Sequence, residues 1–530
     1  MEARQATHHQ RGEQMIAQGV LPFRYEAEPT TSGMTALAGL PVYLELGVVC
    51  GLVDSIRRHV GVCAGRTQGW TDAQIVMPLV LMNLAGGDCV DDLRILEGDE
   101  GFTRVLRRAE LRGLPRQERR EQERRWRKER KRAIPSPSVV FRYLSAFNSP
   151  AEEAKRAVGR AFIPAPNEHL RALGRVNRDV IRFAQQKAPQ REATLDQDAT
   201  LTETYKAEAW PGYQGYKAYQ PLTTYWAEQD LVAHSEFRDG NVPAGFENLR
   251  VLKETLEALP EGVAKVYYRS DTAAYQRELL RYCAEGQNQR FGVIEFAVGV
   301  DVTAEFKRAV SEVKESEWRP LDRLVEGTPV RTEQQWSEVC FVPSWVAYRK
   351  EGPEYRFLAI REPLRQREFP GLESPQLPFP TLDMGEACYK LFGVVTNRNL
   401  PGDEVIRWHR GRCGKGEEVH AVMKNDLAGG QLPSGQFGAN AAWWGIMVLA
   451  YNLNSLMKRL VMPEGWVPKR LKAVRFGFIH LAGRVVTHAR QLMIRVRAGH
   501  PAYALLLEVR RRILALGRQC PGLTVAPGPP

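Results

Sequence analysis

The chain has 530 residues, 43% of them hydrophobic, with 74 Lys and Arg against 62 Asp and Glu and a net charge of +12. That length suits two to four domains, and no run approaches the ~18–20 uninterrupted apolar residues of a membrane-crossing helix, so the positive excess points to a polyanionic partner, nucleic acid or an anionic surface. Eight scattered cysteines without a CxxC pair, and an N-terminus without an apolar signal core, argue against a zinc ribbon, a disulfide scaffold and secretion, and fit a reducing cytoplasm.

Residues 1–190 are predicted to be mostly helical and to form a DNA-binding region. "VYLELGVVCGLVDSIRRHV" and "WTDAQIVMPLVLMNLAGGDCVDDLRIL" carry helical spacing, with Gly86 and Gly87 as a break. The run 104–132 is strongly basic, which suits a solvated helix laced with i,i+4 pairs and also a DNA-phosphate contact. In "IPSPSVVFRYLSAFN", Ser136 or Ser138 could cap a short helix that presents Arg142, as in the second helix of a helix-turn-helix.

From residue 193 the texture changes. "ATLDQDATLTE", "GYKAYQPLTTYWA" and "DLVAHSEFRDG" read as three strands joined by short turns. "FENLRVLKETLEAL" is helical, "AKVYYRS" a strand, "AAYQRELLRYCAEG" an amphipathic helix and "RFGVIEFAV" a further strand. The order β-β-β-α-β-α-β, a meander followed by two crossover units, is the ribonuclease H-like order.

In that architecture acids project from the first strand, from the end of the fourth and from a later helix. Gathered carboxylates repel unless divalent cations bridge them. The first strand offers Asp196 and Asp198, two apart and therefore on one sheet face. The fourth offers Asp271. "GRCGKGEEVHAVMKNDLAGG" offers Glu417 or Glu418, and Glu417, His420 and Lys424 share one helical face. Singly, each acid also suits a turn, an edge strand or a helix N-terminus.

The set "DQDAT", "YRSD" and "RCGKGEEVHAVMK" resembles the three motifs of DDE transposases of bacterial insertion sequences, in the branch with a β-rich insertion before the last glutamate. Its glutamate motif is roughly Tyr-x2-Arg-x3-Glu-x6-Lys. This chain matches it at Glu417 and Lys424, with four residues instead of three after Arg412, and His409 where the Tyr would stand. The branch's Asp-x-Thr motif selects Asp198 over Asp196. "DGNVPAGFENLRVL" and "YNLNSLMKRL" add a resemblance to the insertion-sequence family numbered 1380, running from about residue 35 to 515.

The resemblance implies an α/β ribonuclease H-like core at 191–300 and 389–460, interrupted by a β-rich insertion at 301–388 and followed by a basic C-terminal region, 461–530. It implies Asp198, Asp271 and Glu417 as catalytic and metal-binding residues for two Mg²⁺ ions, with Mn²⁺ as a substitute. Arg412, His420 and Lys424 would contact DNA. Trp318, Trp336 and Trp345 are candidates for stacking on an exposed base, or for a small core. The implied activity is cut-and-paste transposition by at least a homodimer, acting on terminal inverted repeats and target double-stranded DNA in a bacterial cytoplasm. A ribonuclease H-like nuclease or resolvase, or a domesticated DNA-binding protein, are the rivals.

Overall fold

The computed structural model describes residues 32–520 apart from 66–68, 113, 129–130, 158, 326, 345–354, 365–376, 378, 386 and 489–490. Trp345 lies outside the described residues.

The chain begins in helices: α1 (Leu40–Val49), α2 (Leu52–His59), α3 (Asp72–Ala85), α4 (Pro137–Ser145) and α5 (Glu168–Lys187). Local chemistry sets the ends of α3. The Thr71 hydroxyl accepts from the Gln74 N–H and the Gln74 side chain accepts from the Thr71 N–H, while Gly86 closes the helix at φ 100°. Apolar on nearly every side, α3 lies in the interior.

A meander follows: β1 (Glu192–Ala199), β2 (Leu222–Trp226) and β3 (Leu231–Glu236). The chain then runs through α6 (Asn248–Ala258), β4 (Lys265–Ser270), α7 (Arg277–Ala284) and β5 (Glu295–Gly299). The expected element order is therefore present. One connection differs from expectation, because β1 and β2 are joined by the long excursion 200–221 instead of a short turn.

Strands β6 (Gln335–Val339) and β7 (Arg356–Pro363) come from the segment expected to form an inserted β-domain, and β8 (Ala387–Thr396) straddles that segment's expected end at 388. They continue the core sheet, whose order is β3-β2-β1-β4-β5-β8-β7-β6. β1, β4 and β5 run parallel, and β8 joins β5 antiparallel, with Val395 opposite Val298. Alternating side chains identify a strand but not its neighbour, which is why the sequence suggested a separate unit.

Helices α8 (Gly402–Arg410), α9 (Lys415–Ala421) and α10 (Phe437–Leu456) return to the sheet. α10 is buried along almost its whole length and packs on α3, α5 and β3. Its Asn452 donates to the Val232 carbonyl and the Asn177 side chain, tying helix to sheet. One apolar cluster joins α1, α3, α5, the sheet and α10, so the N-terminal helices share the core of the strands. The tail holds a hairpin, Gly483–His488 with Gln491–Val496, and a last helix, α11 (Pro501–Arg518). "RFGFI", Arg475–Ile479, is a helical turn. Among the described residues no single helix is long and apolar enough to cross a membrane.

Gly438 marks a tight seam between α10 and the residues after α4. Its N–H bonds the Asn148 carboxamide at 3.0 Å, and a Cβ there would lie 2.3 Å from the Phe147 carbonyl oxygen. Gly438→Ala is expected to cost about 1–3 kcal/mol, read as a lower urea midpoint with an unchanged slope.

Candidate active site

Two same-face pairs, one on the β1/β4 ladder and one just past its end, carry opposite chemistry. On the inner rung Asp196 stands directly opposite Arg269. The guanidinium grips the carboxylate through Nε and Nη2 at 2.6 and 2.7 Å, and both residues are buried. Burial raises the Asp196 pKa and Arg269 opposes it. Asp196 is thus consumed in a structural pair.

Two residues further along each strand, Asp198 and Asp271 extend the same register just past the ladder's end. No cation of the ladder neutralises them. Burial raises the Asp271 pKa, the Asp198 charge raises it further, and Arg412 works in the opposite direction. A carboxylate whose ionisation a neighbouring carboxylate opposes marks a place for positive charge. The Asp271 carboxylate also accepts from the Ala273 N–H at 3.0 Å, capping a short helical turn. The turn reading is thus true of this residue.

Helix α8 braces the strand ends from one side. Arg269 Nη1 donates to the Trp408 carbonyl at 2.6 Å, and a Cβ on Gly411 would lie 2.9 Å from that nitrogen. His409 is buried, and its Nε2–H donates to the Ser270 carbonyl at 2.9 Å, one residue before Asp271. The Ser270 hydroxyl in turn donates to the Gln197 carbonyl, one residue before Asp198. Burial, then the Arg412 charge, push the His409 pKa down to about 3. A histidine depressed this far below 6.5 leaves stability intact above pH 6.5 and loses it as pH falls toward 3, because only the unfolded chain takes the proton. His409→Gln keeps a donor for Ser270 and is expected to flatten the loss of denaturation free energy between pH 6.5 and about 4.

The second side is α9. Gly414, at φ 82°, makes the turn into it. Lys415 anchors its first residue, with Nζ 3.3 Å from Asp230 in the β2–β3 turn. Asp230 also accepts from the Tyr225 and Tyr451 hydroxyls. His420 is buried, with Nε2 3.6 Å from the Asp198 carboxylate and Nδ1 without a hydrogen-bond partner. Glu417 lies one turn earlier on that face, exposed and free of hydrogen bonds and ion pairs among the described residues. Glu418 instead sits 3.7 Å from Lys415, and its charge acts on Tyr451 and Lys458 of the α10 side. Lys424 is half-buried and donates to the Leu201 carbonyl at 3.2 Å, three residues beyond Asp198.

Asp198, Asp271, Arg412 and His420 are thus brought together, with Glu417 at the rim. The carboxylates do not converge within 4.8 Å of one another. Among the described residues only Asp88, Cys89 and Asp92 form so tight a group, and there Asp92 accepts from the backbone of Asp88 and Cys89 as a cap. Even so, the site fits hard divalent cations. It offers oxygen donors on three elements, a like-charged pair, and an unpartnered buried imidazole nitrogen.

Residues 27–518 match the family model for the transposase DDE domain, group 1. The chain belongs to the DDE transposase family. Membership implies metal-dependent DNA cleavage and strand transfer. Comparison with curated proteins finds no match. Among solved structures, the chain is similar to the piggyBac transposase synaptic complex with hairpin DNA, at 10% identity and a TM-score of 0.41, over 90% of this chain and 82% of that one.

Of the two readings open for Trp318 and Trp336 in this DDE transposase, base stacking and a small core, burial favours the core. Trp318 and Trp336 are 6% and 4% exposed. Trp318 lies beneath the Arg361 guanidinium and Trp336 against Gly402, so neither offers a face to a base. The residues that sequence reasoning missed are Arg269, Asp230 and Lys415. The signal for Arg269 was its place two before Asp271, matching Asp196 two before Asp198.

Proposed function

We propose that this chain is the cut-and-paste transposase of a bacterial insertion sequence of the family numbered 1380, acting on terminal inverted repeats as at least a homodimer. The observation that carries this reading is the Asp198–Asp271 carboxylate pair just past the end of the β1/β4 ladder, in a chain of the DDE transposase family.

Asp198, Asp271 and Glu417 would hold two Mg²⁺ ions, with Mn²⁺ able to substitute. Bound there, such ions activate a water or a 3′-hydroxyl and stabilise the leaving oxygen. The protein's own work is positioning. The Asp196–Arg269 pair and the Ser270–Gln197 bond hold the two strand ends in register. Lys415 and Asp230 hold the N-terminal end of α9, and with it Glu417. Arg412 and His420 present cationic or hydrogen-bonding groups beside the carboxylates, suited to a phosphodiester. Lys424 would reach a phosphate by exchanging it for the Leu201 carbonyl. The helical region 1–190 and the basic region 461–530 would contact the ends mainly through phosphates.

The test is incubation of the purified protein with Mg²⁺, DNA carrying the element's ends, and a target plasmid. Ends cut and joined to the plasmid are expected. Cuts without joining would favour a nuclease or resolvase of the same fold, and binding without cuts a domesticated DNA-binding protein.

A further inference from the structure

The excursion 200–221 rises from the carboxylate end of the sheet, starting two residues after Asp198. It is a built platform. Thr202–Glu203 pair with Ala218–Tyr219, and the Gly212 N–H bonds the Tyr216 carbonyl at 2.9 Å. The Ala218 N–H bonds the Trp210 carbonyl, and the Gly240 N–H bonds the Ala218 carbonyl. Arg156 donates to the Glu208 carbonyl and lies over the Trp210 ring. Lys424, from the segment that follows α9, holds the root at Leu201.

This platform has its own buried side, with Ala209 and Tyr219 at 0% exposure. Two large aromatics are left outside it. Tyr205 is 93% exposed, the most exposed large hydrophobic among the described residues, and Tyr213 is 77% exposed. A rigid element that buries its neighbours while holding two rings in water is pre-organised for a flat partner.

We propose that Tyr205 and Tyr213 form a stacking platform for unpaired bases of the DNA end next to the bond being cut. This rests on the function proposed above. The occupant follows from position. Tyr205 is seven residues from Asp198, a span of at most about 24 Å, or roughly seven nucleotide steps at 3.4 Å. A strand whose scissile phosphate lies at Asp198 and Asp271 therefore has bases within reach of the rings. Ring faces accept any base, so the platform needs no sequence code. Trp318 and Trp336, by contrast, are buried.

The test uses the full chain and duplex DNA of the element's end with 2-aminopurine placed singly at each position within seven nucleotides of the cleavage junction. Wild type is expected to change the fluorescence at one or two positions. The double variant Tyr205→Ala/Tyr213→Ala is expected to abolish that change and slow cleavage about tenfold. Tyr→Phe or Tyr→Trp should preserve both, and Tyr→Leu should not, since the ring and not apolarity is required. A double alanine variant with wild-type fluorescence and cleavage would overturn the proposal. So would one that loses only self-association in light scattering, which would assign the rings to a second copy of the chain. Wild-type protein that neither binds nor cuts the end DNA would overturn the functional reading itself.

Discussion

Asp271→Asn is expected to abolish cleavage of end DNA, by more than about 100-fold, while leaving end binding without divalent cation unchanged. Loss of even an outer-shell partner of a metal ligand costs about 10–100-fold, so removing a ligand itself should exceed that. The same substitution should stabilise the fold at pH 7. The Asp271 pKa is raised above its ordinary 3.8 by burial and by Asp198. The folded state therefore holds that proton more tightly than the unfolded chain, and stability falls as pH rises through this window. At neutral pH the cost is fully present, and Asn removes it. Thermal unfolding at pH 7 should accordingly show a higher Tm for the variant. Added Mg²⁺ should raise the wild-type Tm and leave that of Asp271→Asn nearly unmoved, because a ligand stabilises only the form that binds it. At acid pH, protons compete for the same carboxylate, so the wild-type response to Mg²⁺ should weaken as pH falls.

Arg269→Met is expected to be the most damaging single change outside the carboxylates, at about 3–5 kcal/mol. It leaves Asp196 buried without its partner, and it removes the donor to the Trp408 carbonyl. Asp196 and Arg269 together are dispensable in a different sense. A double variant Asp196→Leu/Arg269→Met removes both charges, and most of the lost stability should return. Cleavage should stay depressed in that variant, because the tether from β4 to α8 remains absent. Urea titration and single-turnover cleavage, run on the same three proteins, separate the two effects.

That contrast also marks where the sequence was legible. Alternation and element order sufficed for β1 to β5, because apolar strands and amphipathic helices follow from local periodicity. The spacing of "DQD" and "YRSD" held more than local reading could extract. Asp196 and Arg269 are 73 residues apart, and so are Asp198 and Asp271. Only a parallel register that places 196 opposite 269 turns this equality into a neutral pair on the ladder and a carboxylate pair just past its end. Register depends on both strands at once, so neither motif contains it.

The same limit applies to β6, β7 and β8, whose strand character was readable and whose place in the sheet was not. The tryptophans follow a simpler rule. Aromatic residues in strands are core by default, and Arg361 covers Trp318 from above. Of the excursion 200–221, residues 200–203 and 215–221 read as parts of the flanking strands and only 204–214 as a turn, so the short pairing of Thr202–Glu203 with Ala218–Tyr219 was not visible. Glu418 lies 3.7 Å from Lys415, whereas Glu417 has no such partner among the described residues, which supports the choice of Glu417 proposed above.

The central claim is that Asp198, Asp271 and Glu417 act on DNA as one cation-binding site. A thiolate is a poor ligand for Mg²⁺ and a better one for softer Mn²⁺. The most direct measurement is cleavage of end DNA by Asp271→Cys with each ion. The account predicts no product with Mg²⁺ and recovered product with Mn²⁺, at unchanged DNA binding. Wild-type cleavage by this variant in Mg²⁺ would contradict it.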